Sequence, residues 1–528
     1  MTMPNLEASP AFVQIPLIQV VNEDDELLAN SPDALWYQML KDFEWQNYRA
    51  IGASYYNSLY HFNCLRKKSS NSGVNGDETK QQAAQRLLFD RATMDETAPI
   101  LFEDQSIPDV EPTISPSSIA PGITPRRLGG KKPKCFFALI KSFIGAPFMG
   151  FAAVPEKVHL LLISNLSFAR VCGFIPKGTD EQYWYKYVPS LRKLEQFDQI
   201  MTEYGLWDQC KRREVLEKID QGIIQKENVL VGDTSHYYAY SGFETLTYID
   251  EKGKEKRKSQ SKLTKNCRCE DWSSCPHPWQ LRDDGAGTIV KAHNKYIWGH
   301  KASILGLPLQ GIPLDAVAVA DASTHDGETF FPHVQALFEQ YPVIKQWIDT
   351  VLYDSACDSD TLKTKFKDLL HLELKASLNP RRKKTVTENL PKGIKKVTAF
   401  GNAICNAGFE MDYQGIRYET ENFIYRAPVD ANDISVCTTC EHKLNCCPTA
   451  TKGRVVQIPF NTLPHINPED APMAKRFKAI MTRRPSVERM IKRLKCDLGD
   501  DRLKKRGNAS FQAYLDITLV AFHILLRN

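Results

Sequence analysis

The chain of 528 residues predicts a mixed α/β fold, a mixed sheet with flanking helices, and three observations carry that expectation. Short apolar runs ending at Gly, Asp or Pro recur after residue 226, segments with helical spacing alternate with them, and a cysteine-bearing, strand-rich stretch interrupts the series before a last basic helix. Composition agrees: 42% hydrophobic and 25% charged is the balance of a soluble globular protein, and the length exceeds one ordinary domain.

The elements follow in order. Residues 1–65 form an N-terminal helical segment, with Ser31-Pro32-Asp33 suited to a helix start before "ALWYQMLKDFEWQNYRAIGASYYNSLYHF". Residues 66–132 are rich in Ser, Gly, Asp, Glu and Pro and read as a flexible linker, because they offer too little apolar area to offset ordering entropy. From 133 to 226 the apolar spacing is helical, as in "EKVHLLLISNLSFARVCGF", and a helical DNA-binding domain is expected there. The apolar stretch 136–154 is broken by Lys141, Gly145, Pro147 and Gly150, so buried helices rather than a membrane span are expected. Residues 227–528 hold strands at 227–233, 294–307 and 314–323, a helix at 326–349, a strand "TVLYD" at 350–354, a helix at 359–370 and a strand at 371–378. A β-rich, cysteine-containing insertion at about 385–465 then precedes the basic helix "RRPSVERMIKRLKCDLG" at 483–499.

Strand, strand, strand, helix, strand, helix, strand, helix is the connectivity of the ribonuclease H fold. Its first and fourth strands lie side by side and parallel, so Asp233, ending the first, and Asp354, ending the fourth, should approach one another at the crevice where such sheets bind ligands. Two carboxylates so placed repel unless a cation compensates. Mg²⁺ accepts one or two carboxylates along with phosphate oxygens, and a pair of such ions can stabilise the attacking and leaving oxygens of a phosphoryl displacement. Glu488 on the last helix offers a third carboxylate; at 100° per residue it falls within about 20° of Lys495, beside the stripe Val487, Ile491, Leu494 and Leu498. Asp321, His325 and Asp326 are rival groups, but the third strand lies beyond the second, which favours a structural or supporting role for them, with a triad through Asp321 as the alternative. His236 reads as a DNA-contacting or packing residue.

Net charge is only +5, yet basic residues concentrate at 125–134, 252–265, 380–384 and Lys475–Arg506, which points to nucleic acid. Fourteen cysteines without an evident secretory leader suggest a reducing compartment, where tight clusters favour metal over disulfides. One cluster comprises Cys267, Cys269, Cys275 and His277; the other places Cys437 and Cys440 ahead of Cys446 and Cys447. Either could supply the four soft donors of a structural Zn²⁺ site, and reduced, packed thiols are the alternative for both.

The stretches "VGDTSH" and "YDSACDS", with Arg484, Glu488 and Lys495, resemble the acidic motifs of DDE transposases from bacterial insertion sequences, enzymes related to retroviral integrases. Members with a strand-rich insertion carry a tyrosine, arginine, glutamate, lysine signature spaced by two, three and six residues; here Arg484, Glu488 and Lys495 fit, while Met481 holds the tyrosine slot. The resemblance runs from about 133 to the C-terminus and includes "AVADASTHDGETFFPHVQAL", "GNAICNAGFEM" and "KKRGNASFQAYLDITLVAFHIL". It implies a transposase that cleaves DNA at terminal inverted repeats and transfers strands into target DNA, with Asp233, Asp354 and Glu488 holding two Mg²⁺ or Mn²⁺ ions. Arg484 and Lys495 would bind phosphates, joined by Arg489 and Lys492 of the same helix. It also implies that Cys405 joins Cys437, Cys440 and Cys446 around zinc, and that the protein acts on double-stranded DNA, both element ends and target, as a homodimer or larger assembly. The expected location is cytoplasmic, nucleoid-associated when DNA-bound, with no membrane. Met481 cannot donate a hydrogen bond as tyrosine does, which bears on any hairpin-forming step, and Pro485 predicts a helix start with Arg484 at its cap. The rival readings are a transposase-derived DNA-binding protein without chemistry and a nuclease with the same core.

Overall fold

The structure, a computed structural model, describes residues 39–41, 45–71, 134–175, 181–249, 251, 253–265, 269, 271, 274–292, 295–379 and 385–526. Most of the expected linker, the basic runs at 125–133 and 380–384, and Cys267 lie outside the described residues. The chain divides into two compact units, one of residues 1–53 with 136–528 and one of residues 54–135. Helix α1 (Arg49–Asn71) runs from the first into the second, where Tyr56 Oη donates to the Lys134 carbonyl at 3.4 Å.

Among the described residues from 136 onward, five α-helices precede the strands: α2 (Phe136–Phe148), α3 (Pro155–Ser164), α4 (Leu166–Val171), α5 (Leu191–Glu203) and α6 (Leu206–Asp220). α5 shows why they assemble. Leu194, Phe197, Ile200 and Met201 recur at helical spacing and are fully buried, and the Phe197 ring meets Phe143 of α2 at 5.3 Å and Trp207 of α6 at 5.9 Å. α2 occupies part of the apolar stretch 136–154 and is 13 residues long; no helix among the described residues is long and apolar enough to cross a membrane.

The strands follow as β1 (Val229–Tyr238), β2 (Phe243–Ile249), β3 (Glu255–Ser261), β4 (Leu263–Thr264), β5 (Gln280–Leu281), β6 (Gly287–Ala292), β7 (Lys295–Leu307) and β8 (Ile312–Ala318). After α7 (Asp326–Gln340) and α8 (Pro342–Lys345) come β9 (Thr350–Tyr353), α9 (Asp360–Lys365) with a π turn at Phe366–Leu370, and β10 (Glu373–Ala376). The main sheet is ordered β10-β9-β1-β7, and the far edge of β7 is shared by β6 and β8. β7 runs antiparallel to both of its neighbours β1 and β8, whereas β9 runs parallel to β1 and β10 parallel to β9. The fold is therefore mixed α/β with a mixed sheet, as expected.

Several boundaries differ from the sequence expectation. β1 does not stop at Asp233: its parallel ladder with β9 ends at Val231↔Leu352, but its antiparallel ladder with β7 continues to Tyr238↔Gly299, so Asp233 sits within the strand opposite Ile304. The third strand ends at Ala318, not 323. The single helix expected at 326–349 is two, divided at Tyr341, because Pro342 has no N–H to continue the ladder. The β2–β5 excursion was not expected at all.

The insertion contains β11 (Ile394–Val397), β12 (Ala403–Cys405), β13 (Asp412–Arg417), β14 (Asn422–Arg426), α10 (Lys443–Cys446) and β15 (Val455–Pro459). Phe423, Tyr425, Ile458, Leu463 and Met473 form a core of its own. The chain closes with α11 (Lys475–Met481), α12 (Ser486–Lys492) running into a π turn at Arg493–Asp497, and α13 (Asn508–Leu525).

Alternation along β1 assigns its two faces. Val229 and Val231 pack with Leu352 of β9 against Val487 and Met490 of α12. Gly232 faces α7 so closely that an added Cβ would stand 2.4 Å from Phe330 Cε2. The first helices are tied to the sheet by charge as well as by apolar packing: buried Lys211 of α6 reaches Asp315 of β8 at 2.6 Å, Asp516 of α13 at 3.0 Å and Asp208 at 2.9 Å. His333 of α7 completes the cluster at 3.3 Å from Asp315.

Candidate active site at the β1–β9 crevice

Asp233 lies two residues past Val231 and Asp354 two past Leu352, and that residue pair is the last in register between the parallel strands. Asp354 keeps extended backbone angles, φ −81° and ψ −174°. Both aspartates follow the last parallel pair by two residues, alternation puts both on the face covered by α12, and the Asp354 charge is felt at Asp233. Asp354 also caps the following turn, accepting from the Ala356 N–H at 2.8 Å.

Arg484 links this pair to the third carboxylate. Its Nη2 lies 2.6 Å from Asp233 Oδ2 and its Nη1 2.5 Å from Glu488 Oε1. α12 begins at Ser486 with Pro485 as the preceding cap residue, so Arg484 stands at the helix entrance. Packing explains the position of Glu488: Val487 and Met490 anchor α12 on β1, which leaves Glu488 on the same side of the sheet as the aspartates but with its side chain 60% exposed. The carboxylate oxygens of Asp233, Asp354 and Glu488 do not form a mutually tight group. Among the described residues, only Cys269, Cys275 and His277 bring three ligand atoms within 4.8 Å of one another.

Burial pushes the Asp233 carboxyl up to about 6; the charges of Asp354 and Asp326 push the same way, while Arg484 and the Thr234 N–H pull against them. Asp326, expected in a structural or supporting role, stands close behind the pair. In the structure Thr234 Oγ1 donates to it at 3.0 Å, and Lys301, 6% exposed, reaches it at 3.0 Å and the Thr324 carbonyl at 2.5 Å. What could have indicated this is its place as first residue of the helix crossing back over the sheet. Asp321 accepts from Ser323 N–H and Oγ in its own turn, and His325 Nδ1 accepts from the Gly327 N–H at 3.1 Å, so both serve local structure.

Of the basic candidates, Lys495 donates to the His236 carbonyl of β1 and lies 5.0 Å from the centre of the Tyr237 ring. It sits in the π turn, so the 100° projection relating it to Glu488 ends at Lys492. Arg489 and Lys492 are exposed on the outer side of α12. Met481 packs between the insertion core and the β1 face.

The second cysteine cluster lines one pocket with Cys405, Cys437, Cys440, Cys446, Cys447 and Arg454. Arg454 Nη1 lies 2.7 Å from Cys446 Sγ. Cys447, outside the expected set, shares hydrogen bonds with Cys437 and Cys446, and burial with those neighbours lifts its thiol to about 11. Compared with known proteins, the chain matches no family model and no curated sequence.

Proposed function

We propose that the protein is a metal-dependent DNA strand-cleaving and strand-transferring enzyme of the DDE transposase type. One observation carries the reading: Asp233 and Asp354 lie on one face of adjacent parallel strands, and Arg484 ties Asp233 to Glu488 of the helix on that face. The strand order β8-β7-β1-β9-β10, three antiparallel neighbours followed by two parallel ones, supports a ribonuclease H-like core.

The donor set suits hard divalent ions, being all carboxylate oxygen and beside a basic helix. Mg²⁺ or Mn²⁺ held by Asp233, Asp354 and Glu488 would supply charge stabilisation to the oxygens of an in-line phosphoryl displacement. The chain's own groups do the rest. Arg484 neutralises Asp233 and Glu488 while the carboxylates have no other cation, and its guanidinium is suited to bidentate phosphate contact once released. Arg489 and Lys492 extend positive charge along α12 and position backbone phosphates without reading bases. Double-stranded DNA is the proposed partner and an assembly of two or more copies the proposed working form.

The test is a supercoiled plasmid carrying the DNA that flanks the gene, incubated with Mg²⁺. The wild-type chain should nick it and join the freed ends to target DNA. Asp233→Asn, Asp354→Asn and Glu488→Gln should each lose nicking while retaining a gel shift. Nicking by Asp233→Asn at the wild-type rate would overturn the assignment; cleavage without joining would indicate a nuclease instead.

A further inference from the structure

We infer a second metal site, for Zn²⁺, on the loop between β4 and β5, with Cys269 Sγ, Cys275 Sγ and His277 Nδ1 as ligands. It is independent of the carboxylate site and of the function proposed for it. Zn–S bonds of about 2.3 Å and Zn–N bonds of about 2.0–2.1 Å, opened to the tetrahedral angle, separate sulfur from nitrogen by about 3.6 Å. Cys269 Sγ lies 3.5 Å from His277 Nδ1 and Cys275 Sγ lies 3.1 Å from it, and all three donors fall within 4.8 Å of one another. The first separation is that of a tetrahedral edge, and the second reaches it by a side-chain opening of about half an ångström.

Donor chemistry selects the ion. Two thiolates and an imidazole favour zinc over Mg²⁺ or Mn²⁺, whereas the carboxylates at the crevice favour the reverse, so the two metals sort to different sites. Binding removes a proton from each thiol. Lys265, 6% exposed, donates to the Cys275 carbonyl at 2.7 Å and lies 4.9 Å from the Trp279 ring centre.

The loop also needs such a clamp. β4 and β5 pair through two residues each, Leu263↔Leu281 and Thr264↔Gln280, with further closure from Arg282 N–H to the Lys262 carbonyl at 2.8 Å. A ladder that short holds little order alone. The residues it presents are apolar and exposed: Trp279 is 52% exposed, Leu263 46% and Leu281 43%. Zinc would fix the loop's shape, and the three donors among the described residues are the ones the geometry assigns to it.

The experiment measures zinc per chain on the full-length protein after dialysis, followed by cobalt substitution. The Cys269→Ser/Cys275→Ser double variant should hold one zinc fewer than wild type, and Cys437→Ser/Cys447→Ser should keep this zinc. Cys269→His supplies a nitrogen in place of a sulfur; it should retain the metal with weaker sulfur-to-cobalt charge-transfer absorption, a result that misfolding would not give. Chelation should speed proteolysis within 265–279 while leaving the circular dichroism of the rest of the chain in place. Wild-type zinc content in Cys269→Ser/Cys275→Ser, or an unchanged cobalt spectrum in Cys269→His, would overturn the site.

Discussion

Asp233 is held at a cost. Burial is the largest influence on it and raises its carboxyl to about 6, so the folded chain binds that proton more tightly than the unfolded chain, whose aspartate titrates near its ordinary value of about 3.9. Stability from this group is therefore full at low pH and is lost as pH rises from that ordinary range through 6. Asp233→Asn should gain up to ~3 kcal/mol at pH 7.5, the equivalent of a two-unit shift, and the gain should vanish near pH 3.5. Urea denaturation at the two pH values checks it, and equal stabilities at pH 7.5 would contradict it. Arg484 works in the opposite direction, since it pairs with both Asp233 and Glu488. Arg484→Met should lose ~1–3 kcal/mol at pH 7.5, the penalty of a partly buried charge left without its partner, and much less at pH 4.5, where Asp233 is protonated. A protein that needs only stability would carry neither the buried carboxylate nor the arginine that offsets it.

At the scale of elements, α12 and β1 form the hinge pin of the site. Met490 packs with Val229, Val231, Leu352 and Val487, and Gly306 of β7 lies so near that a Cβ there would meet the Met490 sulfur at 2.4 Å. Met490→Ala should cost ~2–5 kcal/mol by leaving a cavity and loosening the seat of Glu488, read by thermal melting. On the opposite face Gly232→Ala must displace Phe330 and should cost ~1–3 kcal/mol by overpacking. Much of this was legible in the sequence. The apolar runs of β1 and β9 and the stripe Val487, Ile491 and Leu494 locate the strands and the buried side of the helix, although Met490 takes the fully buried place and Ile491 only borders it, and Pro485 sets the helix start to within one residue. The end of β1 was not legible, because polar Thr234, Ser235 and His236 look like a turn while an antiparallel neighbour keeps them in the ladder. The β2–β3 hairpin escaped for a related reason: β2 is exposed along nearly its whole length, so its short Thr245–Tyr248 alternation faces no core, and the lysines of β3 read as a basic run. The π turn after Lys492 leaves no trace in spacing at all, which is why Lys495 meets β1 rather than standing in line with Glu488.

At the scale of the molecule, a modest net charge of +5 coexists with a basic final segment, and distribution rather than total governs attraction to a polyanion. DNA affinity should fall linearly with salt on logarithmic axes, and Arg489→Ala or Lys492→Ala should each reduce the slope by about 1, as loss of one phosphate contact requires; an unchanged slope would remove these side chains from the interface. The buried ion cluster around Lys211 joins helix, strand and C-terminal helix within the larger unit, and Lys211→Met would strand Asp315 and Asp516 at a cost of ~3–5 kcal/mol. The proposed chemistry requires carboxylates from three distant stretches of chain to share divalent ions. Fe²⁺ loaded in place of Mg²⁺, with ascorbate and peroxide, cuts the polypeptide beside the bound metal, and the fragments can be mapped by mass spectrometry. Cuts clustered near Asp233, Asp354 and Glu488, abolished together by excess Mg²⁺ or by Asp233→Asn, are the predicted result; cuts elsewhere with none at these three positions would contradict it.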